Sequence, residues 1–277
     1  MQKILLTGAT GFLGSQVLKH LSTKKVKIIV VSRNKKNLKD TYQNITEVIH
    51  TEDFFNENDL WLEKICTGID IVIHCAWYAE PGKYLQSSSN EACRDGTIRL
   101  AKASINSSVK RFIGIGSCFE YDLFTKKKID VDFELKPLTP YAIAKVETFK
   151  TLTKLFSNLD IEFLWARMFY LYGEREDPRR LIPILRKNLR EKKKVSLTEG
   201  SEVRDYLNIN EAGKVISNLS FSSAEGAFNV CSGKEVTIRE IAEKIAKEYD
   251  ALDLLEFGTY KMNAFESNYI VGKRSKV

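Results

Sequence analysis

Residues 7–14, Thr-Gly-Ala-Thr-Gly-Phe-Leu-Gly, constrain the fold more than any other part of the chain. They follow the apolar residues 4–6 and lead into apolar residues at helical spacing, which predicts a strand, a tight glycine turn and a helix. Gly8 and Gly11 lack a Cβ, so backbone N–H groups can approach a pyrophosphate, and Gly14 lets the helix lie close to the strand. An ordinary strand-to-helix turn is the alternative. Because strands and helices alternate along the chain, the context favours nucleotide binding.

The composition is typical of a soluble globular protein. The 277 residues suffice for one large domain with a smaller addition, and no run of about eighteen apolar residues predicts a membrane span. The first predicted strand begins at residue 3, which leaves no room for a signal peptide and predicts a cytoplasmic location. Five scattered cysteines without a CxxC pair, and three isolated histidines, indicate a reducing compartment and no metal site.

The net charge of +7 sits largely in short groups of lysines at the ends of predicted elements. Solvated loops and helix surfaces explain such groups. Nucleic-acid binding needs a continuous basic face with interleaved aromatic residues, which the sequence does not show, so no nucleic-acid partner is expected. A small anionic ligand fits this charge equally well.

The second predicted strand bears on the choice of dinucleotide. Residues 27–33 form a continuous β-branched run, typical of a buried parallel strand, and Asn34 follows. At this strand end of a dinucleotide-binding fold, an acidic residue accepts hydrogen bonds from the adenosine ribose, whereas an arginine accommodates a 2′-phosphate. The acid is missing and Arg33 stands there with two lysines behind it. We therefore favour NADP(H) over the alternative of a solvated loop arginine.

Two later segments carry candidate catalytic residues. The strand predicted over residues 111–116 delivers Ser117 to the carboxyl edge of the sheet, where ligands bind in such folds. Tyr141 and Lys145 are four residues apart at the start of a predicted helix, so the ammonium lies one turn from the phenol and favours its ionised form. Alone, this pair would be a helix-start tyrosine and an exposed lysine. The glycine turn and the strand-end serine in the same chain favour catalysis.

Together these motifs resemble the extended short-chain dehydrogenase/reductase family of NAD(P)-dependent nucleotide-sugar epimerases, dehydratases and reductases. The matches follow the family order from residue 3 to about residue 250. They are the TGxxGxxG turn at residues 7–14, the pair Asp53 and Phe54, the HxA strand end at residues 74–76, the NxxGT helix with Asn90, Gly96 and Thr97, Ser117, the YxxxK pair Tyr141 and Lys145, Arg167 with residues 172–173, and residues 204–206 and 228–233.

The resemblance implies an α/β fold, a doubly wound parallel sheet (Rossmann fold) with a smaller C-terminal substrate lobe. Residues 1–172, to which residues 204–232 return, would form the dinucleotide-binding domain. Residues 173–203 and 233–277 would form the substrate-binding lobe. It also implies a homodimer that pairs through two helices at about residues 90–104 and 141–156, and the second helix has apolar residues on more than one face.

The resemblance further assigns roles to individual residues, with no metal among them. Ser117, Tyr141 and Lys145 would be catalytic. The cofactor-binding residues would be Gly8, Thr10, Gly11, Phe12, Leu13, Gly14, Arg33, Asn34, Asp53, Phe54, Cys75, Ala76 and Trp77, together with Tyr141 and Lys145. The substrate-binding residues would be Ser117, Cys118, Phe119, Tyr170, Arg180 and Arg204.

Departures from the family pattern narrow the expected reaction. The 4,6-dehydratases carry Asp-Glu directly after the catalytic serine or threonine, whereas this chain has Cys118 and Phe119, so the acid and base for water elimination are missing. Residues 76–84 and 117–121 are most similar to relatives from deoxysugar gene clusters, many of them 4-ketoreductases. Tyr170 replaces the usual asparagine, so the family's substrate pose is not carried over.

The expected function is NADPH-dependent reduction of a nucleotide-linked 4-keto-6-deoxysugar, so the expected partner is a nucleotide-diphosphate sugar. Tyr141 would donate the proton, and Glu120 is the next candidate donor. The alternative in the same family is a nucleotide-sugar 4-epimerase with tightly bound NAD(P). A redox-sensing binding module with a vestigial site is disfavoured because the catalytic trio is intact.

Overall fold

The computed structural model describes residues 1–33, 38, 41–261 and 267–276. Its helices are α1 (Phe12–Leu21), α2 (Asp59–Cys66), α3 (Ser89–Asn106), α4 (Pro140–Phe156), α5 (Leu181–Arg190), α6 (Ile209–Leu219) and α7 (Ile238–Glu248). Its strands are β1 (Lys3–Thr7), β2 (Lys27–Ser32), β3 (Ile45–His50), β4 (Ile71–His74), β5 (Arg111–Ser117), β6 (Glu162–Met168), β7 (Tyr170–Tyr172), β8 (Val195–Ser196), β9 (Val203–Arg204), β10 (Tyr206–Asn208), β11 (Gly226–Val230), β12 (Val236–Thr237), β13 (Leu255–Glu256) and β14 (Tyr269–Ile270).

A seven-stranded sheet forms the centre of the molecule, in the order β11-β6-β5-β4-β1-β2-β3, and every neighbouring pair is parallel. The strands are runs of β-branched and aromatic residues because helices cover both faces of the sheet. Side chains from α1 and α6 belong to the core on one face, and side chains from α2, α3 and α4 belong to the core on the other. The predicted doubly wound parallel sheet is confirmed.

A smaller unit lies beyond the main sheet and has its own core. Helices α5 and α7 pack together around buried Leu185, Leu189, Ile241 and Ile245. The short strands β8 and β13 pair beside them, and β9 lies between β12 and β14. These elements lie in or next to the expected substrate lobe, although the exact domain boundaries stay a prediction.

The segment 267–276 links this smaller unit to the main sheet. Strand β14 pairs with β9, and the chain then runs beside Ile129 and β11, where Ser275 Oγ accepts a hydrogen bond from the Asn229 N–H. The carboxylate of fully buried Asp205 holds the junction together. It accepts hydrogen bonds from the N–H and Oγ–H of Ser232 and from the N–H groups of Gly233 and Gly272. Both oxygens of Asp205 are thus satisfied.

The described residues contain neither a helix long and apolar enough to cross a membrane nor a cluster of side chains suited to a metal ion. The five cysteines are all free thiols, and four of them are buried.

Candidate active site

The glycine turn joins β1 to α1 as predicted. Gly8 has a φ of 69°, and a Cβ there would lie 2.6 Å from the backbone N of Ala76. A Cβ on Gly14 would lie 2.1 Å from the carbonyl oxygen of Gly8. Gly11 is the N-cap of α1, without a side-chain cap, and the first turn has no acidic residue. The first N–H groups of the helix are therefore suited to an anion such as a pyrophosphate.

The other residues predicted in this turn lie around it. Phe12 and Leu13 are half-buried and pack against the core on the face of the sheet that α1 and α6 cover. The carbonyl oxygen of Thr10 accepts a hydrogen bond of 3.1 Å from Nη2 of Arg175, whose backbone φ is 67°. A non-glycine residue in the left-handed region is uncommon, and Arg175 is a site residue that the sequence analysis missed.

The adenosine side of the predicted site is only partly described. Arg33 is exposed directly after β2, while Asn34 lies outside the described residues. The Asp53 carboxylate accepts hydrogen bonds from the Phe55 N–H and from Asn56 Nδ2, and so caps a short 3₁₀ turn. The ring of Phe54 is buried beside His74. Asp53 is therefore the exposed member of the predicted Asp53–Phe54 pair.

His74 holds the end of β4 against β1 and α3. Its Nδ1 lies 2.7 Å from Thr7 Oγ1, and its Nε2 lies 2.9 Å from Thr97 Oγ1. Because Thr97 Oγ1 donates its own proton to the Cys93 carbonyl, Nε2 must carry the histidine proton and Nδ1 accepts from Thr7. Burial, assisted by the nearby Lys145 charge, lowers the pKa of His74 to about 3. The imidazole is neutral, and its role is structural.

Ser117, Tyr141 and Lys145 come together at the carboxyl edge of the sheet, as predicted. Ser117 ends β5, and its Oγ accepts a hydrogen bond from the Phe119 N–H, which leaves its own proton free to donate. The Ser117 side chain lies near Tyr141 and acts to lower the pKa of its phenol. Burial and the nearby Tyr84 raise the pKa of Tyr141 above its ordinary value. In the free protein Tyr141 therefore keeps its proton.

Lys145 is buried one turn along α4. Its ammonium donates a hydrogen bond of 2.6 Å to the Ile115 carbonyl and lies 3.4 Å from the ring centroid of Trp77. Burial lowers the pKa of Lys145 to about 7, although Glu120, Cys93 and Cys75 act in the opposite direction. A fraction of the lysine is therefore neutral near pH 7.

An aromatic loop after β4 covers Tyr141 and Lys145. The Trp77 indole Nε1–H donates to Oδ1 of buried Asn90, whose Nδ2 donates to the carbonyls of Tyr84 and Ser87. The Tyr84 ring meets the Tyr141 ring edge-on, with centroids 4.8 Å apart. Asn90 thus fixes both aromatic residues. Cys75 and Ala76, which precede the loop, are half-buried, and burial raises the pKa of Cys75 to about 12.

Glu120, the next candidate donor after Tyr141 in the sequence analysis, is poorly placed to donate a proton to a substrate. Its side chain is fully buried and accepts hydrogen bonds from the Ser117 N–H, from Trp165 Nε1 and from Arg167 Nε. The Arg167 guanidinium also donates to the Tyr121 hydroxyl. Because Glu120 is fully buried and its oxygens are held by these donors, its carboxyl group does not reach the space in which a substrate could bind.

The predicted substrate residues divide into two groups. Phe119 lies near Tyr170, with ring centroids 6.3 Å apart, and the guanidinium of buried Arg204 lies 5.5 Å from the Tyr170 ring. These three residues form a continuous row beside Ser117. Cys118 is buried in the apolar cluster against which Phe119 and Tyr170 pack. Arg180, in contrast, belongs to another element, as the N-cap of α5 with no side-chain cap hydrogen bond.

Known proteins resemble this chain over nearly its whole length. Residues 4–231 match the model of the NAD dependent epimerase/dehydratase family. A similar curated protein is dTDP-6-deoxy-L-talose 4-dehydrogenase (NAD(+)) from Aggregatibacter actinomycetemcomitans, 22% identical over 98% of this chain and 99% of that protein. Another is ADP-L-glycero-D-manno-heptose-6-epimerase from Brachyspira hyodysenteriae, 27% identical over 91% of this chain and 82% of that protein.

Among solved structures, UDP-N-acetylglucosamine 4-epimerase from Methanobrevibacter ruminantium M1, in complex with UDP-N-acetylmuramic acid, has the same fold. The TM-score is 0.85 at 22% identity, over 99% of this chain and 89% of that one. Since the family model spans most of the chain and the glycine turn, serine and Tyr–Lys pair lie together in the structure, the chain belongs to the NAD dependent epimerase/dehydratase family.

Proposed function

We propose that the protein reduces the keto group of a nucleotide-linked 4-keto-6-deoxysugar, with NADPH as the reductant. The observation that carries this proposal is that Ser117, Tyr141 and Lys145 converge at the carboxyl edge of the sheet, with the Lys145 ammonium 5.8 Å from the centroid of the Tyr141 ring. The curated relative that acts on dTDP-6-deoxy-L-talose is named as a 4-dehydrogenase, which is the same type of redox step at carbon 4 of a deoxysugar.

The residues divide the work of the reduction. When bound, the reduced dinucleotide supplies a hydride to the carbonyl carbon of the substrate. Tyr141 gives its phenolic proton to the oxygen on which negative charge develops, and Ser117 donates a hydrogen bond to the same oxygen. Lys145 lies 5.8 Å from the Tyr141 ring centroid, so its positive charge stabilises the tyrosinate that remains. Solvent then returns the proton to Tyr141.

The preference for NADPH rests on Arg33. This arginine is exposed directly after β2, where a 2′-phosphate on the adenosine ribose would lie. Arg33→Ala should weaken NADPH binding by about 1.5 to 3 kcal/mol, the range for a hydrogen bond to a charged group, and leave NADH binding nearly unchanged. Dissociation constants from nicotinamide fluorescence test this. Equal or better turnover with NADH in the unmutated protein would contradict it.

A nucleotide-sugar 4-epimerase is the second candidate, because the similar proteins include epimerases, one named for carbon 6 and one for carbon 4 of the sugar. It would use the same Ser117, Tyr141 and Lys145 but keep its dinucleotide bound and regenerate it. The two functions differ in one measurement. A 4-ketoreductase consumes one equivalent of NADPH per 4-keto nucleotide sugar, seen as loss of nicotinamide absorbance, whereas an epimerase purifies with bound dinucleotide and needs no added NADPH.

A further inference from the structure

The buried carboxylate of Glu120 lies directly behind the catalytic strand end. Its Oε1 accepts the Ser117 N–H at 2.8 Å, while Ser117 Oγ accepts the Phe119 N–H at 3.2 Å. This reciprocal arrangement is a capping box around a 3₁₀ turn. Glu120 therefore restrains the backbone of the residue whose hydroxyl meets the substrate oxygen in the proposed function.

Two glycines in β5 leave room for the Glu120 carboxylate and the indole beside it. A Cβ on Gly116 would lie 2.5 Å from Glu120 Oε1, and a Cβ on Gly114 would lie 2.4 Å from the Trp165 ring. The two glycines of β5 thus make room for the indole that binds Glu120 with its Nε1–H, 2.9 Å from Oε1. The same indole faces Lys145, whose ammonium lies 5.5 Å from its ring. The Trp165 indole thus lies close to both charged groups.

Several titratable groups face Lys145, and they differ in charge near pH 7. On one side, His74 at the end of β4, the following Cys75, and Cys93 of α3 lie near Lys145. Tyr141 lies near it on α4 itself, and Glu120 lies in the turn after β5. Burial raises the pKa of both thiols and of Tyr141 and lowers that of His74, so these four are neutral. Glu120, paired with Arg167 on its far side, is the charged member of this set.

We propose that Glu120 is a positioning residue of this active site: its carboxylate fixes the backbone of Ser117, and its negative charge favours the charged form of buried Lys145. The inference rests on the proposed function for its catalytic meaning. The electrostatic coupling of Glu120 to Lys145 can be measured without cofactor or substrate.

The experiment is an NMR titration of the full-length protein labelled with 13C at the lysine ε-carbon. The Lys145 signal is assigned by its loss in Lys145→Gln. In Glu120→Gln an amide oxygen replaces the carboxylate, so the acceptor for the Ser117 N–H remains and the charge does not. The midpoint of the Lys145 titration should fall by about one pH unit, the lower end of the effect of an opposite charge nearby.

Trp165→Phe is the matched control, because it removes one hydrogen bond to Glu120 and leaves the charge. A purely structural role predicts the same Lys145 titration in both variants. An unchanged midpoint in Glu120→Gln, or an equal shift in Trp165→Phe, would overturn the proposal.

Glu120→Gln leaves Arg167 buried without its counter-charge, which can prevent folding. Two measurements cover that case. The double variant Glu120→Gln, Arg167→Gln removes both charges and should also lower the Lys145 midpoint. In the unmutated protein, 13C-labelled glutamate, with the Glu120 signal assigned by Glu120→Asp, should show an ionised Glu120 at pH 7, and a protonated carboxyl would overturn the proposal. Failure of the reduction assay with an intact Lys145 shift would count against the proposed function alone.

Discussion

Removing the Tyr141 hydroxyl should impair the proposed chemistry and leave cofactor binding intact. Tyr141→Phe removes only the proton donor, so kcat should fall by about 10² to 10⁴, the usual contribution of a general acid, while the dissociation constant of NADPH stays close to unchanged. Tyr84→Phe is the matched control, because Tyr84 packs on the same ring. Steady-state NADPH oxidation and fluorescence titration give the two quantities. A substantial residual rate in Tyr141→Phe would mean that another group donates the proton.

Arg204 is our first candidate for the diphosphate of the substrate. The guanidinium fork suits phosphate oxygens, and Arg204 lies at the end of the row formed with Phe119 and Tyr170. Arg204→Ala should raise the KM for the nucleotide sugar by about tenfold or more, with a smaller change in kcat and little in the KM for NADPH. Arg180→Ala, the weaker candidate, is the comparison. Loss of NADPH affinity with an unchanged sugar KM would assign Arg204 to the cofactor instead.

At the scale of elements, the contact of β4 with β1 and α3 should make the fold sensitive to acid. His74 has a pKa of about 3 when folded and about 6.5 when unfolded, so the unfolded chain binds a proton that the folded protein does not. The stability that neutral His74 confers is complete above pH 6.5 and is lost as pH falls toward 3. The slope is about 1.4 kcal/mol per pH unit.

Urea unfolding at pH 7, 5.5 and 4.5 measures this effect. Carboxylates add to the acid sensitivity of any protein, so the comparison is with His74→Asn, which is less stable at pH 7 but should lose less stability between pH 5.5 and 4.5. Equal slopes in the two proteins would rule out His74 as the source.

Elements with a local signal could be predicted from the sequence, and contacts between distant residues could not. The glycine turn, the β-branched strands and the Tyr141–Lys145 spacing report on neighbouring residues, and the structure has each of them. Glu120 binds Trp165 and Arg167, which come 45 and 47 residues later, so no short pattern reports that network. One local signal was missed: Ser-x-x-Glu at residues 117–120 is the pattern of a capping box.

The contacts of the loop that covers Tyr141 and Lys145 could not be predicted from the sequence either. Trp77 was predicted to touch the cofactor, but its place against Lys145 depends on Asn90, which holds the loop through side-chain hydrogen bonds. Likewise, five apolar residues on α4 suggested a second buried face: Ala142, Val146, Phe149, Leu152 and Phe156. The structure buries four of them within the protomer, and Phe149 is half-buried. A helix lying on a sheet beside another helix has a wide buried face without any partner.

At the scale of the whole molecule, the homodimer stays a prediction, and an exposed residue of α4 offers a test of it. On α4, Ile143 is 42% exposed and lies one turn before Glu147, which pairs with Arg94 of α3. If these helices form the interface, light scattering at micromolar concentration should give twice the protomer mass, and Ile143→Asp should give the protomer mass. Leu252→Asp, at another exposed position, should leave the dimer intact. A monomeric unmutated protein would refute the dimer.

The coordination of Asp205 has a consequence for when the molecule can finish folding. One of its four hydrogen-bond donors, the Gly272 N–H, comes from a residue made 67 positions later, and the Asn229 N–H on the edge strand binds Ser275. While the ribosome is still synthesising residues 206–271, the carboxylate cannot be buried with all its partners, at a cost in free energy. The main sheet can assemble during synthesis, but the junction between sheet and lobe closes only after residue 275 has emerged.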